Sequence, residues 1–149
     1  MIFLMNCLRK LSLILIILLL ASSCGRRSPS RVVEKAAEYA KYGKLDEAAK
    51  FLCKEDREAY AVFKQKMDEL KKRKPGMEQQ YDLSLNVKSI AYFLTVEGER
   101  VYEDSSFVTL VYKKGTAQEE KKDVKLILED DEWKIFLNVS RYSKLDYDF

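Results

Sequence analysis

Apolar positions in the first half of the chain recur with a helical period. Val32, Ala36 and Ala40 fall at i, i+4 and i+8, and Val33 and Ala37 widen the stripe, which predicts a helix with one buried face. Ser28 suits its N-cap and Pro29 its first turn, where a missing N–H costs nothing. The helix runs to about Tyr42, and Gly43 supplies a left-handed residue beyond its end. Leu45, Ala48, Ala49 and Leu52 mark a short second helix reaching about Cys53. A third begins near Glu55 or Asp56, carries Ala59, Val62, Phe63, Met67 and Leu70 on one face, and breaks at Pro75-Gly76. Past Gly76 the period shortens to two. Tyr81, Leu83, Leu85 and Val87 alternate with polar residues, then the apolar parity shifts to Ile90, Tyr92, Leu94 and Val96. Such a shift predicts one long strand bent by a β-bulge, or two shorter strands. Phe107 to Tyr112 reads as a strand and Lys114-Gly115 as a turn. Val124, Leu126 and Leu128 share one face of the next strand. After the polar turn Glu129 to Glu132, Trp133, Ile135 and Leu137 share one face of the last. Three helices followed by a four-stranded antiparallel meander define an α+β fold.

The N-terminus follows another logic. Arg9 and Lys10 precede the uncharged run Leu11 to Leu20, which ends in Ala21-Ser22-Ser23-Cys24. At 1.5 Å per residue the run spans roughly 15 Å, about half a bilayer's hydrocarbon core. That length suits a cleaved signal peptide covering residues 1–23 better than a membrane-spanning helix. The stretch Leu20 to Cys24 resembles the lipobox of bacterial lipoproteins. The resemblance implies that Cys24 is diacylated on its sulfur and becomes the first residue of the mature chain, tied to the membrane through its diacylglyceryl group. Ala21 stands where lipoboxes prefer Leu, and Ala21-Ser22-Ser23 also satisfies the small-residue rule for ordinary secretion. Gly25 follows the cysteine in place of the aspartate that retains lipoproteins in many inner membranes. In a two-membraned cell the expected location is therefore the periplasmic face of the outer membrane, and otherwise the outer face of the cell membrane.

Export changes the reading of charge. Of 149 residues, losing the first 23 leaves 126, enough for one domain. Losing Arg9 and Lys10 takes 27 basic groups to 25 against 24 acidic ones, so the net charge falls from +3 to +1. Nucleic acid is not an expected partner, because it calls for a basic face. The run Lys71 to Lys74 sits at a helix C-terminus, where cations complement the macrodipole. With Cys7 removed and Cys24 lipidated, Cys53 has no intramolecular partner; it is either a buried thiol, the expected reading, or available for an intermolecular bridge.

Chemistry is constrained as well. The chain has no histidine, so the commonest general base and the His-paired nucleophiles are missing. None of its five glycines forms a phosphate loop. The acidic turn Glu129 to Glu132 lacks the spaced oxygen ligands of a calcium loop. No metal or cofactor is expected, and no catalytic residue is assigned. Tyr39, Tyr60, Phe63, Tyr92, Phe107 and Trp133 are aromatics on elements that should converge. Core packing is the plainer reading of them. The sharper one makes Tyr39, Phe63, Tyr92 and Trp133 the lining of a pocket for a small apolar ligand. The end of the chain carries Tyr142, Tyr147 and Phe149 among charges, as a partner contact or as an ordered lid.

The order of elements is similar to the nuclear-transport-factor-2-like superfamily, with its cystatin-like cone. More narrowly, it resembles small lumazine-binding-like bacterial lipoproteins of unknown function. Ser28 to Leu52 and Asp131 to Phe136 carry the likeness. It implies a signal peptide (1–23), a lipidated Cys and linker (24–30), a domain (31–138) whose curved sheet and helices enclose an apolar pocket, and a tail (139–149). Lys44 stands where a typical member has a capping acid, so Asp46 is expected to cap the second helix instead. Three roles follow from the resemblance. The first is a non-catalytic module, tethered to the membrane, that binds a small ligand or an envelope protein. The second is an anchored isomerase or dehydratase using a pocket carboxylate, with Asp82 the acid nearest an inward face. The third is a homodimeric assembly factor of the envelope.

Overall fold

The computed structural model describes residues 26–77, 79 and 82–139. The signal segment, Cys24, Tyr81 and the tail beyond Val139 lie outside the described residues. Helix α1 (Pro29–Lys41) starts as its sequence dictates, with the Ser28 hydroxyl accepting from the Arg31 amide and Pro29 in the first turn. It ends where Gly43 takes φ +71°, a conformation that costs glycine little. Helix α2 (Leu45–Ala49) is shorter than its apolar spacing suggests. Residues 51–53 instead run alongside the last strand: Ile135 donates to the Phe51 carbonyl and Cys53 donates to that of Ile135, both at 2.8 Å. Asp46 does not cap α2. It sits inside the first turn, and Lys44 holds the cap position without a side-chain hydrogen bond. Helix α3 (Lys54–Arg73) ends two residues before Pro75 with Lys71 to Arg73 in its last turn.

The largest departure from the sequence pattern follows. Leu83–Ala91 forms a fourth helix, α4, and not the first half of a bent strand. Leu83, Val87, Ala91 and Leu94 also repeat at i, i+4, i+8 and i+11, so alternation and helical periodicity coexist in this stretch. Asp82 breaks the tie. Its carboxylate accepts from the Ser84 amide at 2.9 Å and from the Leu85 amide at 3.3 Å, an N-cap that only a helix can use. Asp82 is therefore a capping residue and not an acid at a strand start.

Four strands complete the fold: β1 (Leu94–Val101), β2 (Ser105–Tyr112), β3 (Glu120–Glu129) and β4 (Glu132–Phe136). They pair antiparallel in chain order. A bulge is present, but between Val96 and Gly98 within β1. The β3–β4 hairpin turns on Asp130 and Asp131, both at positive φ, the geometry whose twist matches that of paired strands. Helix α1 lies across the sheet. Val32 and Val33 meet Val108, Leu126, Trp133 and Ile135 in the buried core. Trp133 retains 6% exposure and faces Leu128 in the register of β3 and β4. The parity read for β4 thus holds for Trp133 and Ile135. Leu137 lies past the end of the strand and is half exposed. The architecture is α+β, with helices gathered on one face of an open antiparallel sheet.

Candidate functional site: an open apolar cavity under the long helix

Among the described residues of helix α3 only Asp56 is fully buried, and the apolar side chains of the helix stay partly exposed. Its apolar stripe therefore roofs a space and does not seal one. Between α3, the small residues of α1 and α2, helix α4 and the inner ends of the strands lies a cavity of about 500 Å³. That is within the range of small-molecule sites, roughly 300–1,000 Å³. Ala36, Ala37, Ala40, Ala48, Ala49 and Ala59 line it. The space exists partly because alanines stand where larger side chains would fill it. Val62, Phe63, Ile90 and Leu137 also line it, and each remains about half exposed. Contiguous exposed apolar surface of this kind marks a binding or interaction site. Among the described residues, the only titratable groups in the lining are Tyr60 and Lys66. Burial, and the hydrogen bond it donates to Asp46, push the Tyr60 hydroxyl up to about 12. It is therefore a neutral donor at physiological pH. Asp46 lies outside the cavity and also accepts from Lys64 at 2.7 Å; the Lys64 and Tyr60 hydrogen bonds hold its carboxyl below the usual carboxylate range.

One edge of the cavity is set by a buried carboxylate. Asp56, in the first turn of α3, is fully buried. It accepts from the backbone amides of Leu137, Asn138 (3.2 Å) and Val139 (2.7 Å). The Cys53 thiol lies 3.2 Å from the same carboxylate. Three amides converging on one charged acceptor form a clamp that delivers Leu137 and Val139 to the cavity wall. Glu129 adds a second tie by accepting from the Lys54 amide at the start of α3. Cys53 is buried as its sequence context suggests, with 1% exposure, and burial pushes its thiol up to about 11. No sequence signal distinguished Asp56 from the other acids of the α3 N-terminus, because its partners lie some 80 residues away along the chain.

Of the aromatics proposed to line a pocket, the structure brings only Phe63 to the cavity wall. Trp133 is enclosed in the core cluster beneath α1. Tyr39 stacks on Phe51 with ring centroids 6.0 Å apart, outside the lining. Tyr92 is 68% exposed, with Lys41 over its ring, and borders a separate cleft with Phe93. Phe107 belongs to the opposite parity of β2 from the core residue Val108, under Arg100. The aromatics do not converge. Tyr60 is the one of the six that joins Phe63 in the lining. Cys24 lies outside the described residues. Among the described residues, no group of three cysteines or acids could hold a metal ion, and no helix is long and apolar enough to cross a membrane.

Helices collected on one face of a four-stranded antiparallel sheet, above an apolar cavity, define a small α+β fold. Over residues 22–136 the chain belongs to the family described as a domain of unknown function, DUF4878. No curated protein matches it in sequence. A crystal structure from Campylobacter jejuni, assigned as an NTF2-like transpeptidase, is similar at 11% identity with a TM-score of 0.40. The match covers 74% of this chain and 99% of that one.

Proposed function

We propose that this protein is an exported lipoprotein, tethered through Cys24, whose domain binds a small apolar ligand without transforming it. The observation that carries the reading is the cavity. It is open to solvent, walled by alanines and aliphatic side chains, and holds no carboxylate, thiol or hydroxyl other than Tyr60 among the described residues. An isomerase of the kind the sequence resemblance implies needs a carboxylate within reach of its substrate. Asp82 is engaged at the α4 N-cap, and Asp46 is bound to Lys64. What remains is an apolar surface with one neutral donor and one ammonium, which suits an uncharged or weakly anionic apolar molecule.

The membrane side of the reading rests on the leader and the short linker. Residues 25–28 reach only about 14 Å when fully extended, so a lipidated Cys24 would hold the domain against the bilayer. Native mass spectrometry of the protein purified from membranes tests both halves. The expected result is an N-terminal cysteine carrying diacylglycerol, together with a non-covalent apolar adduct lost on Phe63→Asp substitution. An unmodified N-terminal Cys would overturn the anchor. Failure of any apolar probe, such as 1-anilinonaphthalene-8-sulfonate, to bind would overturn the ligand site.

A further inference from the structure

The cleft beside Tyr92 and Phe93 lies apart from the apolar cavity and differs from it in character. Its volume is about 640 Å³, within the range of small-molecule sites. Tyr92 and Phe93 meet edge to face at 5.2 Å, and Phe93 meets Tyr112 in the same way at 6.1 Å. Ammonium groups sit over these rings. Lys41 Nζ lies 5.7 Å from the Tyr92 centroid, and Lys113 Nζ lies 5.9 Å from that of Phe93 and 5.3 Å from that of Tyr112. Lys113 is fixed at φ +48°, a left-handed conformation that a lysine adopts only at a cost. Its amide donates to the Phe93 carbonyl at 3.0 Å, and its own carbonyl accepts from the Thr116 amide and hydroxyl. The β2–β3 loop is thereby tied to the junction of α4 and β1. Among the described residues no carboxylate lines the cleft, and neither Lys41 nor Lys113 makes an ion pair. Glu97 and Glu119, the nearest acids along the chain, are engaged by Lys121 and by the Gly115 amide.

We propose that this cleft binds a saccharide bearing carboxylates. A sugar acid offers an apolar C–H face to the exposed Tyr92 ring, hydroxyls to Thr95 and Gln118, and a carboxylate to Lys113 and Lys41. A small inorganic anion would leave the rings uncovered. A purely apolar molecule would leave the ammonium groups without partners. The place of the cleft in the fold points the same way. Arg26 donates to the Asp131 carbonyl at the β3–β4 turn, whereas the loop from Lys113 to Gln118 enters β3 at its other end. The 10 residues of β3 span about 33 Å. With Cys24 as the anchor, a placement that rests on the lipoprotein reading above, the cleft faces away from the bilayer. Its occupant is then a polymer outside the membrane and not a lipid headgroup.

The test uses the protein purified in neutral detergent and a fluorescent trigalacturonate, with binding read by anisotropy. The wild type should bind it, and unlabelled trigalacturonate should compete where uncharged maltotriose does not. Lys41→Gln and Lys113→Gln should each weaken binding by about fivefold, the upper range for an exposed charge pair, and together by about 25-fold. Tyr92→Ala should weaken it by about threefold. Lys72→Gln with Arg73→Gln removes as much charge from the end of α3 and should change nothing. Absence of binding by the wild type would overturn the proposal. So would equal competition by maltotriose, or equal weakening by the Lys72 and Arg73 pair, which would reveal attraction to charge alone. Stronger competition by phosphatidylglycerol in mixed micelles would assign the cleft to a membrane surface and overturn it as well. Unchanged Trp133 emission verifies the fold in every variant, and Lys41→Gln keeps the test open should Lys113→Gln disturb its loop. Saccharide binding is read in solution and stands whether or not Cys24 carries lipid. Nile red, a neutral apolar dye, separates this site from the cavity. Dye binding without saccharide binding removes this proposal alone, and the reverse removes the cavity reading alone.

Discussion

Replacing Asp56 with Ala removes an acceptor that three backbone amides share. The clamp joins the N-terminus of α3 to the chain leaving β4, two regions about 80 residues apart in sequence. Hydrogen bonds to a charged group contribute about 1.5–3 kcal/mol each, and a buried donor left without a partner costs about 1–3 kcal/mol. Leu137 is half exposed and Asn138 partly so, which lets water reach some of the freed amides. The total therefore falls toward the lower end, at about 3–4 kcal/mol. Loss of an acid from the first turn of a 20-residue helix adds about 0.3–1 kcal/mol. Against a total stability of about 5–15 kcal/mol, the variant should be marginal. With a urea slope near 1–1.5 kcal/mol per molar, its midpoint should fall by about 2–5 M. Asp56→Asn keeps the shape and one oxygen but turns an NH2 toward amide donors, so it should lose about half as much. Equilibrium urea unfolding followed by Trp133 emission reads both. A midpoint drop under about 0.5 M for Asp56→Ala would mean that solvent satisfies these amides equally well, and the clamp would lose its energetic role.

Three further outcomes are expected. Trp133→Ala should lower stability by about 3–5 kcal/mol through lost burial and the cavity left behind. Wild-type emission should be blue-shifted and resist iodide, and emission like that of free tryptophan would place the residue outside the core. Ser106 is fully buried, and among the described residues its hydroxyl has no hydrogen-bond partner, so Ser106→Ala should raise stability by about 1 kcal/mol; a lowered midpoint would show that the hydroxyl has a partner after all. The Cys53 thiol titrates near 11 when folded but near 8.5 in the unfolded chain. Stability should therefore be unaffected by this group below about pH 8 and fall as pH rises from there toward 11. The difference between wild type and Cys53→Ser isolates that slope from other titrating groups, and parallel curves would refute it.

How far the sequence discloses this molecule depends on the range of the interaction. Helix α1 is legible because Ser28, Pro29 and Gly43 are local signals acting within a few residues. The same is true of the β3–β4 hairpin, where polar residues separate two alternating runs and the inward parity of Trp133 and Ile135 follows. Residues 83–91 were misread because alternation and helical spacing coincide there, and the deciding contact is one carboxylate on two amides. Aromatic residues were the natural candidates for a pocket wall, yet they serve the core and the outer surfaces. The cavity is instead bounded by alanines. A residue that makes room leaves no positive mark in a sequence, since small side chains on a helix also read as ordinary packing positions. Asp56 was hidden for the opposite reason: its chemistry is conspicuous, but its partners are assembled by the fold.

The two borders of the sheet are treated differently. Along β4, residues 51–53 supply a short parallel partner through Ile135, so that border is already occupied. Strand β1 forms the other border, and no strand among the described residues pairs with its outer side. There the chain carries Glu97, Glu99 and Arg100 around the irregularity at Gly98. Glu97 is held by Lys121, Arg100 by Asp123, and Glu99 accepts from the Ser30 amide at 2.7 Å. A bulge and fixed charges are the means by which proteins discourage strands of neighbouring molecules from zipping together. Were the domain confined to a membrane surface as proposed above, copies would meet far more often than in free solution, and this border would keep frequent collisions from becoming a growing intermolecular sheet.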